Sequence, residues 1–339
     1  MAPRIDEFNV PEKVETLEKT TTQEQNSQLK KEEKIDLPIR WRNVAIFSAL
    51  HMGAIYGIYL CFYSKIQTLI FAYLLYLGGA LGITAGAHRL WAHRTYKAKL
   101  PLRVFLGLMQ TLALQNSIFE WSRDHRVHHK HAETNADPHN SNRGFFFAHM
   151  GWLLMKKHPD VIQKGSRIPL DDLLADPVVA FQKKFYRPLA ILICFVLPTL
   201  IPVYFWNESW SNAYFVPAIL RYVITLHFTW FVNSFAHMWG MRPYDKKINP
   251  AENLFVSIGA AGEGFHNYHH TFPMDYSTSE HGSAYFNFTK FFIDFMALIG
   301  QAYNRNKVSA EQILARRKRT GDLSEKETQS YGVEHEHDY

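Results

Sequence analysis

A chain of 339 residues has room for one large domain or two ordinary ones. Its formal net charge of +6 is too mild to suggest a nucleic-acid partner. Its two cysteines, Cys61 and Cys194, both lie inside apolar runs. That excludes a disulfide framework and points to a reducing compartment. The slightly negative mean hydropathy conceals polar ends around an apolar middle. Aromatics make up 15% of the chain, as expected where rings gather at a membrane–water interface.

Residues 1–38 are rich in Glu, Lys, Gln and Thr and contain no apolar core of a signal peptide. They are expected to form a disordered polar tail. Residues 44–63 carry no charge and match the roughly 20 residues that a bilayer span needs. A short turn at Ser64–Gln67 leads to a second uncharged run, 68–87. A third run covers 189–206, with Pro198 and Pro202 near its end, and a fourth covers 213–230. Proline is tolerated in a span where neighbouring helices satisfy the freed carbonyls. The fourth run holds Arg221, a costly residue at membrane depth, read as structural: snorkelling, or paired inside the bundle.

Lysine and arginine cluster on one side of every run: Lys34, Arg40 and Arg42 before the first, Arg89 to Arg103 after the second, Lys183, Lys184 and Arg187 before the third, Arg242 to Lys247 after the fourth. The two short loops offer one Lys and one Glu. The positive-inside rule therefore puts both termini and the cap, residues 88–188 and 238–315, in the cytosol. Residues 100–119 are apolar but interrupted by Pro101, Arg103, Gln110, Gln115 and Asn116. As a span they would separate His93 from His125, so they are read as an interfacial helix. Residues 284–300 mix Phe and Tyr with Lys290 and Asp294 and are read as a second one. From 316 to 339 a charged tail is expected, in which His335 and His337 are solvated. The whole reads as an all-α membrane protein: four transmembrane helices under a helical cap spanning, with them, residues 39–315.

Histidine decides what that cap does. Nine of the eighteen histidines fall in His88-Arg-Leu-Trp-Ala-His93, His125-Arg-Val-His128-His129, His266-Asn-Tyr-His269-His270, and at His237. On a helix, positions i, i+3 and i+4 share one face, so each HxxHH presents three imidazoles together. Imidazole suits iron, copper and zinc. Nine nitrogens are too many for one ion and divide into two sites of four or five. Structural zinc usually takes cysteine, and no cysteine is suitably placed. The HExxH of zinc proteases is absent. A carboxylate di-iron bundle needs paired ExxH motifs, and in the core only Glu263–His266 fits. What remains is an all-histidine dinuclear iron centre, suited to oxygen-dependent attack on an unactivated C–H bond. A histidine-rich metal transporter is the rival from another class, but it would need polar groups through the spans.

HRLWAH, HRVHH and HNYHH, with Gly82–Ala87 before the first, Glu133–Asn140 after the second and Gly262–Phe265 before the third, resemble the histidine boxes of the membrane acyl-CoA desaturases of the stearoyl-CoA type. The resemblance runs from about Arg40 to Gln301. It implies that His88, His93, His125, His128, His129, His237, His266, His269 and His270 bind two iron ions (Fe2+), with Asn233 reaching one through a water. It implies that Asn43, Asn116, Arg123, Asp124, Lys156 and Lys157 hold the CoA head group and that Trp230 lines the acyl path. The family commonly has Arg-Lys where this chain has Lys156-Lys157, which keeps the charge but loses a bidentate fork. It further implies a long-chain acyl-CoA substrate, O2, electrons from cytochrome b5, and the endoplasmic reticulum membrane. Asn249-Pro-Ala-Glu252 and the overall likeness lean toward a cis double bond at Δ9. A Δ11 position, or a fatty-acyl hydroxylase built on the same centre, are the alternatives. Tyr76, twelve residues before His88 and so about 18 Å along a helix, is expected to floor the acyl tunnel.

Overall fold

The computed structural model describes residues 37–281 and 286–322. The expected N-terminal tail as far as residue 36, the chain beyond 322 with His335 and His337, and Ala284 lie outside the described residues.

Four helices are long and apolar enough to cross a membrane: α1 (Trp41–Cys61), α2 (Ile66–Ala92), α5 (Pro177–Trp206) and α6 (Trp210–Met238). Between them come α3 (Leu100–Ala113) and α4 (Ile118–His131). After them come α7 (Leu254–Gly259), α8 (His266–Thr271), α9 (Phe288–Leu298) and α10 (Ala310–Thr320). The four spans are those the hydropathy marks, but three are longer. α2 runs five residues past its uncharged stretch, and residues 82–92 are π-helical and buried throughout. π-Helical turns gather at functional sites, and this one carries His88. α5 begins at Pro177, twelve residues earlier than expected, with a break in helical geometry at Phe185 ahead of Pro188. α6 continues to Met238, with irregular backbone at Ser234, and so delivers Asn233 and His237.

Large apolar side chains such as Met52, Ile55 and Ile58 stay exposed on α1, as a lipid-facing helix requires. Its other face meets α6 through Gly53 and Gly57. A Cβ at Gly57 would lie 2.6 Å from the Phe215 carbonyl oxygen, so the two backbones approach as in small-xxx-small pairs. At the end away from the histidines, Glu208 joins the two short loops. It accepts from the Lys65 amide at 2.9 Å and the Thr68 hydroxyl at 2.5 Å. Arg221 is buried and fully engaged, as expected, donating to the carbonyls of Pro217, Leu112 and Cys194 at 3.0 Å each.

α3 has fourteen residues, about 21 Å of helix, too short to cross. Its Gln110 is satisfied within the protein, donating to the Asn116 carbonyl at 2.8 Å and accepting from Gln182 at 2.5 Å. α4 starts at a capping box in which Ser117 and Glu120 bond reciprocally. That box sets the helix phase and aims His125, His128 and His129 to one side. The C-terminal expectation needs correction. Residues 316–320 do not leave the fold; they are the last turns of α10. Arg317 is buried against Glu280 at 3.0 Å and Arg316 pairs with Asp245. Both arginines are bound by acids that lie far away in sequence.

Candidate metal centre and acyl passage

The ends of α2 and α6, with α4 and α8, bring all nine histidines together. His88, His93, His125, His129 and His269 form one group; His128, His237, His266 and His270 form another. Within each group the ligating atoms lie within 4.8 Å of one another. Nε2 meets Nε2 between His93 and His125 at 2.8 Å, His88 and His269 at 3.0 Å, and His129 and His269 at 2.9 Å. In the second group the same atoms meet between His237 and His266 at 2.9 Å, His266 and His270 at 3.1 Å, and His128 and His270 at 3.3 Å. The groups touch where His129 stacks on His270, centroids 4.2 Å apart.

A shared proton can reconcile two facing nitrogens, but not four or five converging on one point. A cation can, so the donor sets fit one metal ion each, with five and four nitrogens. Burial first, and neighbouring rings second, hold His93, His125, His129, His266, His269 and His270 well below the usual 6.5. The rings are therefore neutral and their lone pairs available at physiological pH.

Three carboxylates orient the ligands from behind. Nδ1 of His237 faces Glu133 at 2.7 Å, Nδ1 of His128 faces Asp137 at 2.9 Å, and Nδ1 of His88 lies 3.0 Å from Glu263. A proton on each Nδ1 leaves Nε2 bare toward the centre. Glu263 is itself held by the buried Arg89 at 2.9 and 3.1 Å. Sequence reasoning quoted these acids as motif text and gave them no role. Their signal was that acids stand among buried histidines; which acid meets which ring is a tertiary matter. His139 was also missed. It is buried, it packs against His128 at 4.3 Å, and it lines the cavity described next.

Two cavities meet at the histidines. The inner one, about 610 Å³ including space open to solvent, is walled by Tyr76, Ala80, Ile83, Phe228 and Val232 and reaches His88, His125, His128 and His266. The outer one, about 1080 Å³ with its open mouth, is lined by Asn43, Phe47, Asn116, Asp124 and Trp230. Trp121, His125, Thr229 and Asn233 belong to both, so the two adjoin beside the histidine cluster. A hydrogen bond from Gln115 to Thr229, 2.8 Å, stands at the junction. At the inner end the Tyr76 hydroxyl donates to the Gly259 carbonyl, and its ring sits edge-on to Phe228 at 6.0 Å.

Of the expected head-group residues, Asn43, Asn116 and Asp124 line the outer cavity, as does Trp230, expected on the acyl path. Arg123 and Lys157 do not. They bind Asp124 from an adjoining groove, leaving that carboxylate between two cations. Lys156 is exposed and is not among the residues lining the mouth.

The family model described as "Fatty acid desaturase" matches residues 64–285. The chain belongs to that family. Curated relatives of this desaturase include the stearoyl-CoA desaturase of Bos taurus, 62% identical over 286 residues, covering 84% of this chain and 79% of the relative. The acyl-CoA Delta-9 desaturase of Acheta domesticus is 61% identical over 287 residues, covering 84% and 80%. The stearoyl-CoA desaturase of Homo sapiens is 58% identical over 282 residues, covering 83% and 78%.

Proposed function

We propose that this desaturase is an acyl-CoA Δ9 desaturase. It converts a saturated long-chain acyl-CoA, O2, two electrons and two protons into the cis-monounsaturated acyl-CoA and two waters. The observation that carries the reading is the passage made by the two adjoining cavities, polar at its outer mouth and walled by apolar side chains within, which reaches His88, His125, His128 and His266. The names of the relatives support stearoyl-CoA or palmitoyl-CoA as substrate and Δ9 as the position.

His88, His93, His125, His129 and His269 would hold one iron ion and His128, His237, His266 and His270 a second, with Asn233 beside them on the passage wall. When bound, these ions supply the activation of dioxygen. The other tasks belong to the chain. Asn43, Asn116 and Asp124 hydrogen-bond the CoA head group at the mouth. Arg123, Lys156 and Lys157, three cations against the one carboxylate of Asp124, give that region the positive charge that phosphates require. Trp230 flanks the entering acyl chain. Tyr76 stops its methyl end, so the distance from floor to histidines selects the carbons presented. Apolar walls keep bulk water from the reacting methylenes.

Electrons come from cytochrome b5 and its reductase. The enzyme resides in the endoplasmic reticulum membrane, with both termini and the histidine cap on the cytosolic side. Expression in a desaturase-deficient yeast, with double bonds located by mass spectrometry, tests the reading. Cis-Δ9 products bear it out. A bond elsewhere overturns the regiochemistry, and an oxygen-bearing product with no loss of two hydrogens overturns the reaction class.

A further inference from the structure

Three histidines outside the metal cluster, two from the spans and one from the segment between α4 and α5, share one site. His51 of α1, His227 of α6 and His149, which follows the Glu133–Asn140 segment, surround the indole of Trp230. His51 stacks on it (centroids 6.5 Å, planes 18° apart), and His149 and His227 meet it edge-on at 5.6 and 5.2 Å. They are also joined in a line. Nδ1 of His51 is 2.6 Å from the Phe47 carbonyl oxygen. Nε2 of His51 is 3.1 Å from Nε2 of His227. Nδ1 of His227 is 3.0 Å from Nε2 of His149, and Nδ1 of His149 is 3.0 Å from the Ser234 hydroxyl.

Elimination assigns the protons. A carbonyl only accepts, so His51 carries its proton on Nδ1 and its Nε2 is bare. His227 must then donate from Nε2, which leaves its Nδ1 to accept from Nε2 of His149. Nδ1 of His149 in turn accepts from Ser234. The Ser234 hydroxyl also lies 2.8 Å from the Trp230 carbonyl oxygen, and in this arrangement its proton turns to His149 instead. Three neutral rings thus satisfy every nitrogen in one direction, with no charge placed at membrane depth. An intramembrane polar array of this kind is costly unless complete, and ionisable groups there mark function. Its apolar product is the fixed plane of Trp230, which forms a wall of the outer cavity.

We infer that His51, His227 and His149 are positioning residues for the acyl chain: their hydrogen-bonded line fixes the Trp230 indole, and through it the register of the substrate against the metal centre. The inference rests on the reading that Trp230 flanks the acyl chain.

The test uses the full-length enzyme in detergent or microsomes, with stearoyl-CoA as substrate. His227→Leu breaks both links of the line. KM is expected to rise about tenfold while kcat changes less, metal content stays at the wild-type level, and products with displaced double bonds appear. His227→Asn retains an acceptor near Nδ1 and recovers most of the loss. His51→Phe keeps the ring stacked on Trp230 without its hydrogen bond and serves if His227→Leu does not fold. It is expected to show the same KM rise in milder form.

Trp230→Phe separates the two readings. If it leaves KM and product position unchanged, the assumption that Trp230 touches substrate fails. If Trp230→Phe is impaired but His227→Leu worsens it additively, the histidines do not act through Trp230 and the inference is overturned. It is overturned equally if both His227→Leu and His51→Phe fold with wild-type KM and a single product. Non-additivity, with the double variant no worse than Trp230→Phe, bears it out.

Discussion

Three of the nine imidazoles, His88, His128 and His237, have a carboxylate behind the ring. Asp137 holds Nδ1 of His128 at 2.9 Å, so Asp137→Asn should keep the fold but weaken metal binding, by about 10–100-fold for an orienting partner of this kind. Metal analysis after graded chelation measures it; unchanged affinity would show that the pairing does not orient the ring. At the other end of the passage, Tyr76→Ala removes the ring that meets Phe228. Products from longer acyl chains should then increase, read from the chain-length distribution. Acid acts on the same rings. His93, His125, His129, His266, His269 and His270 have folded values held well below 6.5. Below 6.5 the unfolded chain therefore binds more protons than the folded one. Stability and metal retention are complete above that value and fall progressively as pH drops beneath it. Metal content across pH 8 to 5, measured after desalting, should decline only in the lower half of that range. The nine histidines were readable residue by residue, because two HxxHH faces and one HxxxxH are rare in ordinary sequence. The carboxylates behind them were not, because any acid in the cap could have filled that place.

Among elements, the four spans were legible because a bilayer demands length and freedom from charge. Their true ends were not. α2 and α6 run on beyond the uncharged stretch to deliver His88 and His237, which a hydropathy criterion trims away. The contact between α1 and α6 depends on Gly57, where a Cβ meets the Phe215 carbonyl oxygen at 2.6 Å. Gly57→Leu should destabilise the protein by about 1–3 kcal/mol, the usual cost of overpacking, with His-cluster chemistry intact in the surviving fraction. Thermal aggregation in detergent reports it. The end of α10, residues 316–320, reads as the start of a tail because its arginines look solvated in sequence. They are held by Glu280 and Asp245, acids already carried by the cap.

For the whole molecule, the metal centre also ties the fold together. The spans α2 and α6 and the cap helices α4 and α8 each bring histidines to the two groups, so ions bound there would cross-link elements from distant parts of the chain. Removing them with a chelator should lower the melting temperature, and adding Fe2+ should restore it. Binding at a thousandfold excess over Kd adds about 4 kcal/mol. A melting temperature indifferent to metal would mean that packing alone holds the cap.

The sequence by itself determined the spans, the histidine faces and the chemistry they suit, because each follows from local spacing and residue type. Tertiary structure alone decided how nine rings divide into five and four, which carboxylate stands behind which ring, and that a second set of histidines closes around Trp230. Those facts depend on distances between side chains a hundred or more residues apart, and no local periodicity encodes them.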